Sequence, residues 1–302
     1  MTHSLLQKPD VTPFFDAYTN TFSYVVKAPS SNSCAVIDSV LDFDYASGST
    51  SYVGADAIIA FVREQQLQVE WLIETHAHAD HLSAAPYIQE NLGGKLGIGK
   101  HIITVQQTFG KIFNEGTRFR RDGSQFDALF EDGDTYQIGE LTCVAIHTPG
   151  HTPACMTHVM GDAAFVGDTL FMPDGGTARA DFPGGDAGVL FDSIQKILDL
   201  PEDTRIFMCH DYPEGREVKF QTTVAAQREH NIHVKRGTPK SAFVQMREAR
   251  DRTLDMPRLI LPSLQVNIRA GHFPEPEDNG QVYLKVPINA FKGTPPTSGD
   301  RS

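Results

Sequence analysis

Four side chains of metal-binding types between positions 76 and 81 constrain this chain more than any other feature. They follow the pattern H-x-H-x-D-H and are His76, His78, Asp80 and His81, in a chain of 302 residues with only 12 His. The apolar run at 69–74 predicts a β-strand before them, and a helix is predicted from about 82 to 91. Because sites in α/β proteins lie where strands pass into helices, the pattern predicts a metal site in the connecting loop.

Three more candidate ligands follow later predicted strands. His151 lies in a Thr-Pro-Gly-His-Thr turn, where Pro and Gly favour a sharp bend. Asp168 follows the predicted strand at 163–167, and His210 follows the one at 205–209. Each alone would be an ordinary residue at the end of a strand. In this order, after the first motif, they predict one shared metal-binding site.

Strands and helices occur in two similar halves of the chain. The predicted strands are at 21–26, 33–38, 69–74, 134–138, 141–147, 155–160, 163–167 and 205–209. The predicted helices are at 55–66, 82–91 and about 190–198. Strands that first pair locally and then alternate with helices, twice over, predict an α/β fold in which two sheets pack face to face with helices outside.

The last third of the chain has a different pattern of predicted elements, with helices and irregular segments in place of strands. The elements predicted there are helices near 216–231 and 240–254, a Pro-rich irregular stretch from Pro257 and a loose tail from Gly293. We expect a catalytic domain at 1–235 and a C-terminal extension at 236–302 that packs on the same domain.

Composition narrows the class of protein. The net charge of −12 comes from 26 basic and 38 acidic residues, which disfavours binding to nucleic acid or to a membrane surface. The N-terminus has no signal-peptide pattern, and no stretch has the roughly 18 apolar residues of a membrane span. The four cysteines form no C-x-x-C pair, so we expect reduced thiols and a cytoplasmic protein.

The series H-x-H-x-D-H, P-G-H-T, G-D-x-L and a final strand-end His resembles the ligand series of the metallo-β-lactamase superfamily, over about residues 14 to 215. The resemblance implies an αββα sandwich with the metal site at one edge of the sheets. It also implies roles for the seven residues. The first-site ligands would be His76, His78 and His151, the second-site ligands Asp80, His81 and His210, and the bridging carboxylate Asp168.

Two branches of the superfamily act on thiol-linked substrates: the glyoxalase II thioesterases and the persulfide dioxygenases. Arg179, Asp181 and Phe182 match the C-G-R-T-D-F segment of the dioxygenases, although Thr177, Ala178 and Ala180 depart from it. The H-D-Y triplet at 210–212 and the N-x-R-x-G element at 267–271 are also similar to the dioxygenases. The long C-terminal arm resembles their longer bacterial subtype.

The dioxygenase resemblance implies one Fe(II) per chain, held by His76, His151 and Asp168. Two His and one carboxylate form the facial triad of non-haem iron oxygenases, which leaves positions open for substrate and O₂. The remaining four residues would orient ligands and water by hydrogen bonds or hold a second metal, and the residues alone leave both readings open. These four are His78, Asp80, His81 and His210. Asp38, at a strand end, is either a further orienting residue or an ordinary turn cap.

The resemblance therefore implies an iron-dependent persulfide dioxygenase that oxidises glutathione persulfide with O₂ to sulfite and glutathione. The first alternative is a glyoxalase II-like thioesterase with two Zn or Fe ions that hydrolyses S-acylglutathione. The second alternative is a metal-bound sensor or partner-binding module without enzymatic activity. We expect small-molecule substrates, no nucleic-acid or membrane partner, and a homodimer.

A basic segment is a candidate for holding the glutathione carrier. Residues 235–270 contain eight Lys/Arg and three acidic residues, within a chain of net charge −12. Arginine grips carboxylates in a bidentate manner, so an anionic thiol suits such a segment. Arg179 and Tyr212 match positions that contact glutathione in the related thioesterases. The candidates from the basic segment are Lys235, Arg236 and Arg269.

Overall fold

Two six-stranded sheets form the centre of the molecule in a computed structural model that describes residues 7–291. The first sheet has the order β1-β2-β3-β6-β8-β9. Its strands are β1 (Asp10–Asp16), β2 (Thr21–Lys27), β3 (Ser33–Ile37), β6 (Gln68–Ile73), β8 (Lys95–Gly99) and β9 (Ala128–Phe130). The pairs from β1 to β3 are antiparallel and those from β3 to β9 are parallel. Parallel neighbours need crossover connections, and each of the three connections contains a helix.

The second sheet follows the first in the chain and has the order β10-β11-β12-β13-β14-β15. Its strands are β10 (Thr135–Ile138), β11 (Leu141–His147), β12 (Met156–Met160), β13 (Ala163–Phe165), β14 (Arg205–Phe207) and β15 (Gln221–Thr223). All neighbours are antiparallel except β13 and β14, which a helix connects. A small third sheet contains β4 (Val40–Asp44), β5 (Ser49–Ser51) and β7 (Leu82–Ser83).

Seven α-helices accompany the sheets in the part of the chain that the structure describes. They are α1 (Val53–Glu64), α2 (Ala85–Leu92), α3 (Ile102–Ile112), α4 (Ala187–Leu198), α5 (Val224–His230), α6 (Lys240–Asp251) and α7 (Ile260–Asn267). A core between the sheets contains Tyr24, Phe165 and Phe207, and separate cores lie beneath the helices of each half. The sandwich with helices outside confirms the predicted αββα fold.

Two stretches of the last third differ from the sequence prediction. The stretch from Pro257 was expected to be irregular but contains α7. Pro262 is tolerated in its first turn, and the helix is buried all round, so it has no amphipathic period to read. The single helix expected at 216–231 is a loop, the edge strand β15 and then α5. The Thr223 side chain accepts a hydrogen bond from Ala226 N and caps that helix.

Residues beyond 235 contact both halves of the sandwich. The ring of Phe243 in α6 lies 5.4 Å from that of Phe191 in α4. Leu264 and Val266 in α7 belong to the apolar core beneath the first sheet. The part of the extension that the structure describes thus packs against both sets of helices, while its boundary at residue 235 stays a prediction. The tail predicted from Gly293 lies outside the described residues.

The four cysteines are buried and free, as their spacing predicted. No helix within residues 7–291 is both long and apolar enough to cross a membrane.

Candidate metal centre

The His-rich loop begins where β6 ends, and Asp38 fixes its first residues. Asp38 accepts hydrogen bonds from Thr75 N (2.7 Å) and from the Thr75 hydroxyl (2.8 Å). Its own backbone has a φ of 50°, an uncommon conformation for a residue with a side chain. The Thr75 hydroxyl donates to Asp38 and so accepts from His76 Nδ1 at 3.0 Å. His76 Nε2 is then left without a proton and free to bind a metal.

Two glycines let the turns that carry His151 and Asp168 approach their neighbours. Gly150 has a φ of 132°, and a Cβ there would clash with the backbone of Leu190. Gly167 has a φ of 50°, and a Cβ there would lie 2.6 Å from the Thr75 hydroxyl oxygen. Only glycine fits such positions without strain, so the P-G-H and G-D patterns have a steric reason.

Three of the predicted ligands form one group. His76 Nε2 lies 3.8 Å from Asp168 Oδ2, and His151 Nε2 lies 3.6 Å from the same oxygen. The candidate ligand atoms of these three residues lie within 4.8 Å of one another. His151 Nδ1 donates to the Arg179 carbonyl at 2.8 Å, which leaves Nε2 as its free lone pair. Two imidazoles and one carboxylate thus face a common point.

The other four predicted ligands form a second group, with candidate ligand atoms also within 4.8 Å of one another: His78, Asp80, His81 and His210. The superfamily resemblance implied His78 as a first-site ligand, whereas the structure groups it with the second set. His210 Nε2 is 3.1 Å from Asp80 Oδ2 and 3.4 Å from Asp168 Oδ1. Asp168 therefore faces both groups, one with each carboxylate oxygen. All seven residues that the sequence singled out meet at one edge of the two sheets.

Five buried ligand atoms of these residues make no hydrogen bond within the described chain. They are His76 Nε2, His78 Nδ1, His81 Nε2, His210 Nε2 and Asp168 Oδ1. A buried polar atom without a partner costs free energy, so a converging set of them needs an occupant. Imidazole nitrogens and carboxylate oxygens suit Fe, Zn and related ions. The residues therefore fit a bound metal, in one group or in both.

Burial keeps two of these imidazoles neutral. Burial and the neighbouring His78 lower the pKa of His81 to about 3. Burial, followed by His78 and His151, also lowers the pKa of His76 well below its usual value. Burial acts in the same direction on His210, but Asp80 and Asp168 outweigh it and raise that pKa. Neutral imidazole is the form that binds metal, so His76 and His81 are ready as ligands at physiological pH.

Two carboxylates bind the ring nitrogen of His78 that faces away from the ligand group. Its Nε2 lies 3.0 Å from Asp38 Oδ1 and 3.2 Å from Glu74 Oε2. Glu74 is itself fixed, because its Oε1 accepts from the Ser83 hydroxyl at 2.6 Å. Burial alone would lower the pKa of His78, but Asp38 and Glu74 raise it well above its usual value. Nε2 is the donor to these carboxylates, and Nδ1 faces the second group, where a bound metal would replace its proton.

Sequence reasoning missed Glu74, although Asp38 was named as a candidate orienting residue. The one available signal for Glu74 was its position at the end of the strand before the motif. A carboxylate there is also common as an ordinary strand-end residue, so the sequence could not single it out.

Asn267 ties the C-terminal helix to the His-rich loop. Its amide nitrogen donates to the carbonyls of His78 and His81, both at 2.8 Å. Its amide oxygen accepts from Ser83 N at 2.9 Å. One buried side chain thus satisfies three backbone groups of the loop. Asn267 begins the N-x-R-x-G element but was not named as a site residue.

A cavity of about 810 Å³ opens beside the metal groups. Its walls include Asp80, His151 and Asp168, together with Arg179 and Tyr212. The structure therefore brings two of the five predicted glutathione contacts to the cavity. A cleft of this size fits a small-molecule ligand.

Arg179 and Tyr212 each contact neighbouring side chains in the cavity wall. Arg179 forms an ion pair with Asp181 at 2.7 Å, and its Nη1 donates to the Asp255 carbonyl at 2.6 Å. The Tyr212 ring stacks on that of His210 with centroids 5.9 Å apart.

The other three predicted glutathione contacts lie elsewhere. Arg269 forms a 2.6 Å ion pair with Glu115 and is largely buried, so its charge is already neutralised. Lys235 and Arg236 line two smaller pockets that share no residue with the large cavity. These two residues follow α5 and stand near Glu202, which lies 3.7 Å from Arg236. The sequence placed Lys235 and Arg236 in a basic segment, but it could not show that their side chains face away from the large cavity.

The basic segment does contribute to the cavity, through residues that the sequence did not single out. Arg247, Arg250 and Arg258 line it. Arg247 is buried and pairs with Asp251 at 2.6 Å. Spacing could not distinguish these arginines from their neighbours, because the helix faces became known only in the folded chain.

The sequence profile of the metallo-beta-lactamase superfamily matches residues 18–210, and the chain belongs to that superfamily. The chain is 56% identical over 292 residues to a probable metallo-hydrolase of Burkholderia pseudomallei (strain 1710b), covering 93% of this chain and 99% of the relative. It is 47% identical over 288 residues to glyoxylase B2 of Dictyostelium discoideum, covering 94% and 99%.

Two further relatives support the predicted branch. The mitochondrial persulfide dioxygenase ETHE1 of Homo sapiens is 30% identical over 201 residues, which are 66% of each chain. The crystal structure of ETHE1 from Myxococcus xanthus matches with a TM-score of 0.69 and 26% identity, covering 87% of this chain and 100% of that one. The comparisons and the His/Asp cluster thus confirm a metal-binding member of an enzyme superfamily.

Proposed function

We propose that this protein is an Fe(II)-dependent persulfide dioxygenase that acts on glutathione persulfide. The observation that carries the proposal is the group of His76, His151 and Asp168, of which the last two line the large cavity. Two His and one carboxylate are the ligand set of non-haem iron oxygenases. The likeness to proteins named persulfide dioxygenase and ETHE1 supports the same branch.

The proposed reaction converts glutathione persulfide, O₂ and water to glutathione, sulfite and two protons. The terminal sulfur is oxidised, its bond to the carrier sulfur breaks, and the carrier sulfur leaves as the thiol. O₂ is the oxidant and is reduced to two of the sulfite oxygens, while water supplies the third. A bound iron ion would supply the redox chemistry between the sulfur and O₂, which zinc lacks.

The protein's own part is to hold, orient and shield. His76, His151 and Asp168 would hold the ion, and the Arg179 carbonyl fixes His151 in the tautomer with a free Nε2. Phe171 and Phe182 line the cavity and would limit the access of bulk water to its apolar wall. Exclusion of water limits competing reactions of the persulfide.

Metal analysis paired with O₂ uptake tests this proposal. Protein made with iron supplied and purified without air is expected to contain one iron per chain and to consume O₂ with glutathione persulfide. A His151→Ala variant is expected to lose the iron and the uptake together. Two results together would overturn the proposal: the purified protein contains stoichiometric zinc, and after loading with iron it consumes no O₂ with glutathione persulfide.

A two-metal thioesterase of glyoxalase II type is the second candidate. It is favoured by the complete second group, in which His78, His81 and His210 each present a free buried nitrogen. The likeness to glyoxylase B2 points the same way. Two metals per chain and rapid hydrolysis of S-lactoylglutathione, with no O₂ uptake on the persulfide, would favour it.

We further propose a cytoplasmic homodimer that takes only small-molecule substrates. Light scattering on the purified protein tests the dimer, and a monomeric mass would contradict it.

A further inference from the structure

Four arginines line the cavity, and two of them are already neutralised. Arg179 pairs with Asp181, and Arg247 pairs with Asp251. Both also donate to backbone carbonyls, so their guanidinium groups act as structural ties within the walls. Neither offers a free charge to a ligand.

The other two cavity arginines are free. Within residues 7–291, Arg250 and Arg258 form no ion pair and no side-chain hydrogen bond. Arg258 is nevertheless held in place, because its guanidinium lies 4.1 Å from the centroid of the Tyr18 ring. Tyr18 lines the same cavity. A cation stacked on an aromatic ring keeps its hydrogen-bond donors available for a ligand.

Free acidic groups line the cavity as well. Glu214 and Asp255 form no ion pair within the described chain, whereas Asp174 is taken up by Arg216 at 2.6 Å. A cavity with two free cations and two free anions outside its metal groups suits a zwitterionic ligand. Such a ligand carries carboxylates and an ammonium group, as a peptide-like thiol does.

We propose that Arg250 and Arg258 determine the substrate specificity of the cavity by holding the carboxylates of a peptide-like thiol carrier. This inference rests on the proposed function, because it assumes that the metal groups act on a sulfur atom of the same ligand. Both residues lie beyond the superfamily match, which ends at residue 210. The C-terminal extension thereby adds the carrier-recognition surface to a centre that the sandwich builds.

Direct binding of glutathione to the metal-loaded protein tests the assignment without relying on turnover. Arg250→Glu and Arg258→Glu are each expected to weaken glutathione binding at least tenfold by calorimetry. Arg252→Glu is the matched control. Arg252 is also exposed, lies two residues further along the chain and forms no ion pair within the described chain, but it does not line the cavity. The control variant is expected to bind glutathione like the parent.

Kinetics provide a second readout. The ratio of kcat/KM for glutathione persulfide to that for 2-hydroxyethyl persulfide, which has no carboxylate, is expected to fall at least tenfold in both Glu variants. An Arg250→Lys variant keeps the charge and should recover part of the ratio. An unchanged ratio together with unchanged glutathione binding would overturn the assignment.

The outcomes separate this inference from the proposed function. If glutathione binds, and binds more weakly to both Glu variants, while no O₂ is consumed, the specificity assignment stands and the dioxygenase proposal fails. If O₂ is consumed with the parent KM in both Glu variants, the dioxygenase proposal stands and the assignment fails.

Discussion

At the scale of single residues, the centre depends on which nitrogen of each imidazole is left free. Thr75, through its bond to Asp38, leaves Nε2 of His76 as the free atom. The reverse holds for His78, whose Nε2 is bound by two carboxylates and whose Nδ1 is free. A metal site needs these tautomers before the metal arrives, and the residues behind the ligands provide them.

Glu74 should matter to metal affinity although it lies behind the ligands. Glu74→Ala removes one acceptor from His78 Nε2 and the partner of the Ser83 hydroxyl, and we expect metal affinity to fall roughly 10–100-fold. Competition with a chelator measures this. Glu70→Ala is the control, because Glu70 lies on β6, just before Glu74 in the chain, but bonds Ser33 and Gly139 instead. An equal loss in both variants would contradict a role specific to His78.

At the scale of elements, the two sheets bury an ionisable group between them. His158 on β12 is fully buried, its Nδ1 is 3.0 Å from the Tyr136 hydroxyl, and Phe130 packs edge-on against its ring. Burial lowers its pKa to about 4. The sheet interface therefore holds this side chain in its neutral form.

The pH dependence of stability follows from that shift. The folded state takes up a proton on His158 only below about pH 4, whereas the unfolded chain takes it up below about 6.5. Between these two pH values the unfolded state binds more protons than the folded state. The stabilising contribution of neutral His158 is therefore fully present above about pH 6.5 and is lost as the pH falls to about 4. We expect the free energy of unfolding to decrease by about 3 kcal/mol from this group.

Urea unfolding of the metal-free protein at pH 7 and pH 5 measures the larger part of this decrease, about 2 kcal/mol. His158→Phe should show a smaller loss between the two pH values than the parent, since the other buried histidines are unchanged. An identical loss in parent and variant would show that His158 does not titrate on unfolding.

The helix α7 is the element that joins the extension to the centre. Asn267→Ala removes two donors from the His-rich loop and leaves Ser83 N without its acceptor. We expect a loss of about 1–3 kcal/mol in stability and weaker metal binding. Gln265→Ala is the control, because Gln265 is buried on the same helix but bonds Leu261 and Lys285. Thermal unfolding with and without metal compares them. If the parent and Asn267→Ala bound metal equally well, the hydrogen bonds of Asn267 to the His-rich loop would not be needed for metal binding.

At the scale of the whole molecule, the C-terminal extension takes part in the cores of both halves. Phe243 lies in the core beneath the second sheet, and Leu259, Leu264, Val266 and Ile268 lie in the core beneath the first. Burial of a large apolar side chain contributes about 2 kcal/mol, so the five residues together contribute about 10 kcal/mol. That is comparable to the whole stability of a typical domain.

A chain ending at residue 235 should therefore fail to fold on its own. We expect it to aggregate or to unfold without a cooperative transition, and to retain no metal. Solubility, calorimetry and metal content measure this against the full chain. A soluble 1–235 fragment with a cooperative transition and bound metal would contradict it and would show that the predicted boundary separates independent units.

The sequence by itself determined the sandwich, the seven metal-type residues and their arrangement at strand ends. Those signals are local: a strand period, a glycine that a turn requires, and a dense run of rare side chains. Only the tertiary structure decided that His78 belongs to the second ligand group, that two carboxylates bind its Nε2 and which way the basic segment faces. Arg250 lines the cavity, whereas Arg269 lies buried against Glu115. Each of these depends on contacts between residues far apart in the chain, and no local pattern in the sequence encodes which face a charged side chain presents.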